Sequence, residues 1–333
     1  MIKKRTFQSL KNELRSNPTA IIGVAIFTLL LFGAIFAPIL APHDPTTQYS
    51  DRTHQAPFGF GGESEQTQLV DGEMQTVVEG NSGTLNHALG TDANGRDILS
   101  RSLYGLRTSL LVAITAMTIS LIVGTTFGLV SGYYGGRVDD SIMRFVDVIL
   151  AFPSLLMALA LFGILGPMTV FVPDPFAALG IVEDRPAVTP FPGTVTLAIS
   201  AVIWVWIARV ARAEARQVRN QEYVTAGKTM GMSNFAIIKN HVLPNSLTPI
   251  LVLGTVQLAT IIIIESSLSF LGFSGTTLSL GFDIAFGRDY LSNSWWISSI
   301  PGLFIVAAVI SINLLGDWFR DALDPDIQGG GGR

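Results

Sequence analysis

Few residues in this chain can do chemistry, and most of them point to binding rather than catalysis. There is no cysteine, which excludes disulfides and thiolate reactions. The four histidines, His43, His54, His87 and His241, are scattered and form no metal pair. No Gly-x4-Gly-Lys-Ser/Thr loop is present to cradle a nucleotide phosphate, so ATP hydrolysis is not expected of this chain. No Gly-x-Ser-x-Gly elbow presents a nucleophile. Two features remain. One is a basic, polar segment of 36 residues, 209–244, set between two uncharged runs. The other is an acid, Glu265, at the edge of an apolar run, with Ser269 and Phe270 close behind it. An acid at membrane depth is a functional candidate by default, so these three are pathway or gate candidates. The plainer reading of Glu265 is a cap on the following loop or a pair with Arg288.

The elements that must position these groups are apolar helices. The chain is 49% hydrophobic and 14% charged, against about 25% charged in soluble domains, and its mean hydropathy is +0.47. A helix needs about 20 apolar residues to cross a bilayer, and lipid leaves only helices or closed barrels as spanning structures. The runs here are continuous, without strand-like alternation, so an all-α polytopic membrane protein is expected. Six spans are read: 18–41, 108–131, 148–166 (with Pro153 in its first turns), 194–212, 242–264 and 295–316. The basic tail 1–17 precedes an apolar run too long for a cleaved leader. Residues 42–104 form a long polar loop. From 42 to 101 it holds nine acids (Asp44, Asp51, Glu63, Glu65, Asp71, Glu73, Glu79, Asp92, Asp97) and three arginines (Arg52, Arg96, Arg101). It is read as a solvated outer surface, and residues 49–84 as partly disordered or short strands. The tail 317–333 ends in glycines.

Charge placement orients the spans. With the N-terminus inside, 15 of the 21 Lys and Arg fall on the inner side, as cytoplasmic loops require. Both termini are then cytoplasmic, and the chain sits in the cell membrane. Trp295 and Trp296 read as an interfacial belt. Gly124 and Gly128 are spaced for close helix packing. Asp147 is read as a cap on the third span.

Within 209–244, Thr225-Ala226-Gly227, three residues, Gly231, nine residues, His241-Val-Leu-Pro244 follows the spacing of the EAA signature, Glu-Ala-Ala-x3-Gly-x9-Ile-x-Leu-Pro. Other blocks lie in order along nearly the whole chain: His87-x-Leu-Gly-Thr-Asp-x2-Gly-Arg-Asp97, Gly132-Tyr-Tyr-Gly-Gly136, Met143-Arg-x2-Asp147, Ala151-Phe-Pro-x-Leu-Leu156, Glu222-Tyr-Val-x-Ala226, Glu265-x2-Leu-Ser-Phe-Leu-Gly272 and Asn313-Leu-Leu-Gly-Asp317. Together they resemble the C-type permease subunit of dipeptide, oligopeptide and nickel ABC importers.

The resemblance implies the transmembrane domain of a type I ABC importer over residues 105–316. It implies a related B-type permease as membrane partner, two cytosolic ATP-binding subunits and an extracellular solute-binding protein. It implies no cofactor on this chain, with ATP and Mg²⁺ on the partner subunits, and no nucleic acid. The coupling residues would be Glu222, Tyr223, Val224, Thr225, Ala226, Gly227, Gly231, Phe235, His241 and Pro244. Two short helices would flank a turn at Gly231. Tyr223, Val224 and Met230 would lie on the surface of one and Phe235, Ile237 and Ile238 on the other, an apolar ridge for a groove on a cytosolic partner. Pro244 would start the fifth span. The sequence departs from the signature at Thr225 and Gly227; Glu222, one helical turn earlier, offers the missing carboxylate. The cargo would be peptides or related small solutes. The rival reading, an ion-gradient-driven carrier, needs acids at the midplane, and the spans are almost charge-free.

Overall fold

The computed structural model describes residues 14–15, 17–61, 63–70, 73–80, 82–182 and 186–323. Most of the basic N-terminal tail, the Glu183–Asp184–Arg185 charges and residues 324–333 lie outside them. The described residues are mostly helical, with two small antiparallel hairpins, the first inside the stretch 49–84 read as partly disordered or short strands and the second, within 169–192, outside any expected strand. In chain order the helices are α1 (Pro18–Ile35), α2 (Ala37–Leu40), α3 (Ile98–Tyr134), α4 (Gly136–Leu150), α5 (Ser154–Leu165), α6 (Pro175–Ala178), α7 (Gly193–Arg219), α8 (Glu222–Thr229), α9 (Asn234–Ile237), α10 (Leu243–Phe270), α11 (Leu280–Gly287) and α12 (Trp296–Leu323). The hairpins are β1–β2 (Glu63–Val70, Glu73–Gly80) and β3–β4 (Thr169–Pro173, Val188–Pro192). The first hairpin supplies short strands at Glu63–Val70 and Glu73–Gly80 within 49–84.

Five helical stretches are long and apolar enough to cross a membrane: α1, α3, α7, α12 and the continuous run Asn234–Phe270. At 1.5 Å per residue, α3 with its 37 residues is about 55 Å long and projects well beyond a bilayer core. The expected third span at 148–166 is not one helix. The chain turns by 92° between α4 and α5, because Pro153 has no N–H to give and its ring clashes with the carbonyl four residues back. Residues before proline also leave the helical region. The remaining α5, 12 residues or about 18 Å, is too short to span alone.

The core is built on α3 and α7. Gly124, Gly128 and Gly132 run along one face of α3, and a methyl group on any of them would press into the carbonyls of Trp204, Ala208 or Arg212 on α7. Small residues four apart thus let the two backbones touch, as the spacing of the first two predicts. Ala116, Val195, Ile199, Ile203, Ile207 and Ile261 fill the interior between α3, α7 and α10. The amphipathic α4 lays Met143, Val146 and Ile149 against Trp204, Val205 and Ala208 of α7.

Polar contacts gather at the two ends of this bundle. At one end, residues 42–61, 82–97, 166–182, 186–192 and 271–295 meet. Arg101 donates to Asp283 Oδ1 (2.8 and 2.5 Å), to Pro45 O and to Thr277 O. Arg107 pairs with Asp174, and Trp296 Nε1 donates to Thr91 O at 3.0 Å. The acidic loop is therefore not simply a solvated surface: Asp92, Asp97 and Arg101 are at most 1% exposed. Neither is Trp296 an interfacial residue; it is buried under that loop, while Trp295 stays exposed beside Phe60. At the opposite end, Asp139 of α4 takes Arg212 and Arg216 of α7 together with the Ser131 hydroxyl. Asp147 caps no helix there; it accepts from Arg209 at 2.6 Å.

Candidate coupling site

The turn at Gly231 is specified residue by residue. Helix α8 ends when Gly231 takes φ +78°, a region that costs any residue with a Cβ. The Gly231 N–H then donates to Lys228 O at 3.0 Å and the Met232 N–H to Gly227 O at 3.1 Å. This pair of bonds is the Schellman closure of a helix C-terminus. The Met232 thioether folds over Gly227, where a Cβ would lie 3.2 Å from its sulfur. Gly in place of the second Ala of the signature therefore makes room for the residue that closes the turn. Ser233 then caps α9, its hydroxyl accepting from Ala236 N–H at 3.2 Å. A π turn, Ile238–Val242, joins α9 to α10 without a break. Pro244 stands in the first turn of α10, as expected, inside this continuous rod; the π turn before it adjusts the ladder where the missing proline N–H would fall.

The predicted coupling residues divide by exposure. Glu222, Tyr223, Thr225, Ala226, Gly231, Phe235 and Pro244 are exposed, and His241 is half-buried with its ring 6.0 Å from that of Tyr223. Val224 and Gly227 are buried. Val224 and Ile237, read from the sequence as surface residues, are both fully buried in the core and tie α8 and α9 to the bundle. The exposed apolar groups are Met230, 75% exposed, Phe235, 73% exposed, and Tyr223. They stand on either side of the Gly231 turn, with Lys228 and Lys239 exposed alongside. The Tyr133 hydroxyl at the end of α3 donates to Asn234 Oδ1 at 2.9 Å. Arg219 donates to Tyr133 O at 2.9 Å, and the Lys228 ammonium lies 5.3 Å from the Tyr133 ring centre. This joins the turn to α3 and α7. Tyr133 and Asn234 were not singled out in the sequence; only the Gly-Tyr-Tyr-Gly-Gly block gave a signal there.

The pathway candidates fall at the other end. Glu265 is buried and accepts from four hydroxyls: Ser109 (2.7 Å), Ser269 (3.0 Å), Ser279 (3.0 Å) and Ser266 (3.3 Å). It does not pair with Arg288, which lies beside Asp289 instead. Glu265 and Ser269 thus share one polar knot joining α3, α10 and the strand of chain before α11. Phe270, at the end of α10, is exposed. The histidines are also less scattered than the sequence suggests. His43 and His87 stack at 4.4 Å between ring centres, next to Asp97. His54 meets Ser294, its Nδ1 2.9 Å from the hydroxyl, and burial lowers its pKa against the raising effect of Asp92.

Residues 124–329 match the family described as binding-protein-dependent transport system inner membrane component. Residues 7–57 match the N-terminal membrane domain of oligopeptide transport permease C. The chain is 34% identical over 94% of its length to a di/tripeptide transport system permease protein of Pseudomonas aeruginosa, covering 89% of that protein. It is 34% identical over 95% of its length to a dipeptide transport system permease protein of Alkalihalophilus pseudofirmus, covering 88% of it. Among solved structures, an inward-facing methionine ABC transporter matches 66% of this chain and 95% of its own at a TM-score of 0.47 and 16% identity. The family match over most of the chain, together with near full-length identity above 30%, places the sequence: the chain belongs to the binding-protein-dependent transport system inner membrane components, the permease subunits of ABC importers.

Proposed function

We propose that this permease subunit forms half of a translocation pathway for dipeptides and tripeptides. The other half is a homologous B-type permease. An external binding protein delivers the cargo, and two cytosolic ATP-binding subunits, which carry the ATP and Mg²⁺, dock on the turn at Gly231. Both termini face the cytoplasm. The observation that carries this reading is the exposed ridge of Met230, Phe235 and Tyr223, held rigid by the Schellman closure, by buried Val224 and Ile237, and by the Tyr133–Asn234 bond. An apolar ridge with basic neighbours, standing beyond the membrane helices on a fixed turn, fits a groove on a soluble partner. The bond to α3 gives partner motion a direct route into the bundle. The peptide assignment is supported by the names of the full-length relatives.

The test is co-purification from mild detergent with the companion subunits co-expressed. The expected result is a complex holding a second permease and two ATPase copies, which loses the ATPases when Met230 and Phe235 are both replaced by Ser. A chain that purifies alone and moves dipeptide in liposomes without ATP would overturn it.

A further inference from the structure

The end of the bundle opposite the coupling turn carries a cluster that transport coupling does not use. His43 follows α2, His87 closes the short 3₁₀ turn Leu85–His87, and Asp97 is the N-cap of α3. One donor atom of each lies within 4.8 Å of the others. The two imidazoles stack, and both present Nδ1 to the same carboxylate oxygen: His87 Nδ1 is 2.9 Å and His43 Nδ1 3.9 Å from Asp97 Oδ1. The second carboxylate oxygen is turned away, held by the Ser100 N–H at 2.8 Å and the Ser100 hydroxyl at 2.7 Å. His87 and Asp97 are fully buried, while His43 keeps 21% of its side chain exposed, leaving an entry from the outer side.

We propose that His43, His87 and Asp97 form a binding site for a first-row divalent cation of the zinc type. A metal about 2.0–2.2 Å from each nitrogen and oxygen sets tetrahedral donors about 3.3–3.5 Å apart. The two measured separations bracket that value, and His43, with 21% of its side chain exposed, completes the set when its ring turns out of the stack on His87 so that both Nδ1 lone pairs point at one ion. Two imidazoles with one carboxylate suit zinc, copper or nickel ions and not the all-oxygen preferences of magnesium or calcium. The Ser100 bonds already fix the carboxylate from behind, as outer-shell groups do around metal ligands. On binding, the metal takes the place of the proton that His87 Nδ1 shares with Asp97; that proton passes to solvent and solvent returns one to Nε2, so the neutral ring changes tautomer and its proton count is unchanged. Arg52 Nη1 stands 3.4 Å from His87 Nε2. With the metal bound, Nε2 carries the imidazole proton and the half-exposed Arg52 swings toward its neighbour Asp51. The ion would staple the segment after α2, the 85–87 turn and the start of α3 into one unit on the outer face.

The test uses the full chain, co-expressed with its companion subunits and purified through a tag without histidine. Zn²⁺ is titrated against a fluorescent chelator, and Co²⁺ absorption reports the coordination. The expected result is one Zn²⁺ per chain with visible d–d bands on Co²⁺ loading, unaffected by excess Mg²⁺. Replacing the partly exposed His43 by Ala should weaken Zn²⁺ binding at least ~10-fold, and His43→Cys, which restores a ligand, should recover it. His241→Ala should bind as the parent does. Absence of a stoichiometric site, or equal affinity in the His43→Ala and parent proteins, would overturn the proposal. Because His43 is partly exposed, its replacement leaves the fold intact, which the melting curve of the metal-free protein verifies.

Discussion

The Tyr133 hydroxyl reaches Asn234 Oδ1 at 2.9 Å across 101 residues of sequence, tying the C-terminal end of α3 to the first residue of α9. One hydrogen bond of this kind contributes about 0.5–1.5 kcal/mol, which is small for the fold as a whole. Its place matters more than its size, because it joins the Gly231 turn to a helix of the bundle core.

Tyr133→Phe should therefore insert and melt almost normally, with a stability loss of about 1 kcal/mol, yet show depressed uptake with ATP hydrolysis still running. Asn234→Ala should behave alike. The double mutant should add little to either single change, the signature of two residues sharing one interaction. Fully additive losses in uptake would mean that the bond does not connect turn and bundle.

The Gly231 turn makes a sharper claim. A Cβ there meets nothing within 4 Å, so crowding is not the issue; the cost is the positive φ alone. Left-handed backbone costs a residue with a Cβ roughly 1–2 kcal/mol, and asparagine tolerates it best. Gly231→Val should abolish uptake while the protein still reaches the membrane, whereas Gly231→Asn should keep a large part of it. Measuring both by peptide uptake and membrane immunoblot separates backbone conformation from surface chemistry. Equal failure of the two would point to the surface instead.

How much of this was legible in the sequence depends on range. The Gly124–Gly128 stripe and the glycine turn at 231 are local signals, and the fold uses both as read. The face of a helix is legible only when it runs for several turns. Helices α8 and α9, with 8 and 4 residues, are too short for periodicity to choose a side, and Val224 and Ile237 turned inward. Partners far apart in sequence were invisible. Asp139 with Arg212, Arg101 with Asp283 and Glu265 with Ser109 are separated by 73, 182 and 156 residues. Of the charges that read as a solvated loop, Arg101 is buried on the distant Asp283, while Asp92 and Asp97 are buried on nearer partners, Arg96 for the one and His87 with Ser100 for the other. Burial of charge is tolerated where such partners exist. Pro153 was placed correctly near a helix start, but the preceding helix, α4, was not foreseen to stop against it.

His54 gives the end of the bundle opposite the Gly231 turn a pH dependence. It lies outside the membrane-spanning helices, against Ser294 and the Tyr290 ring. Burial lowers its pKa from the usual 6.5, and the Asp92 charge offsets only part of that. The unfolded chain then binds a proton more readily than the folded one, so stability rises with pH across the window between the two values. The contribution is complete above about pH 6.5 and is lost as pH falls below it. Thermal melting between about pH 7.5 and 5.5 should show a decline that His54→Gln flattens. A wild-type and a mutant profile of the same slope would remove His54 as the cause.

The knot around Glu265 makes the last prediction, and it tests whether the site holds the fold or serves the pathway. Four hydroxyls from α3, α10 and the segment before α11 converge on one side chain. Hydroxyls both donate and accept, so a neutral amide of the same shape can be re-satisfied by their rotation. Glu265→Gln should cost about 0.5–1.5 kcal/mol. Glu265→Leu offers no polar atom and strands the buried hydroxyls of Ser109 and Ser279, at about 1–3 kcal/mol for each group left unsatisfied. The leucine variant should therefore melt far lower than the glutamine variant, and equal melting would show that the serines find other partners. Uptake then separates the roles. If Glu265→Gln folds and transports normally, the carboxyl is a structural tie between α3 and α10. If it folds and fails to transport, the acidic proton or charge itself belongs to the gate, because the shape and the hydrogen bonds have been kept.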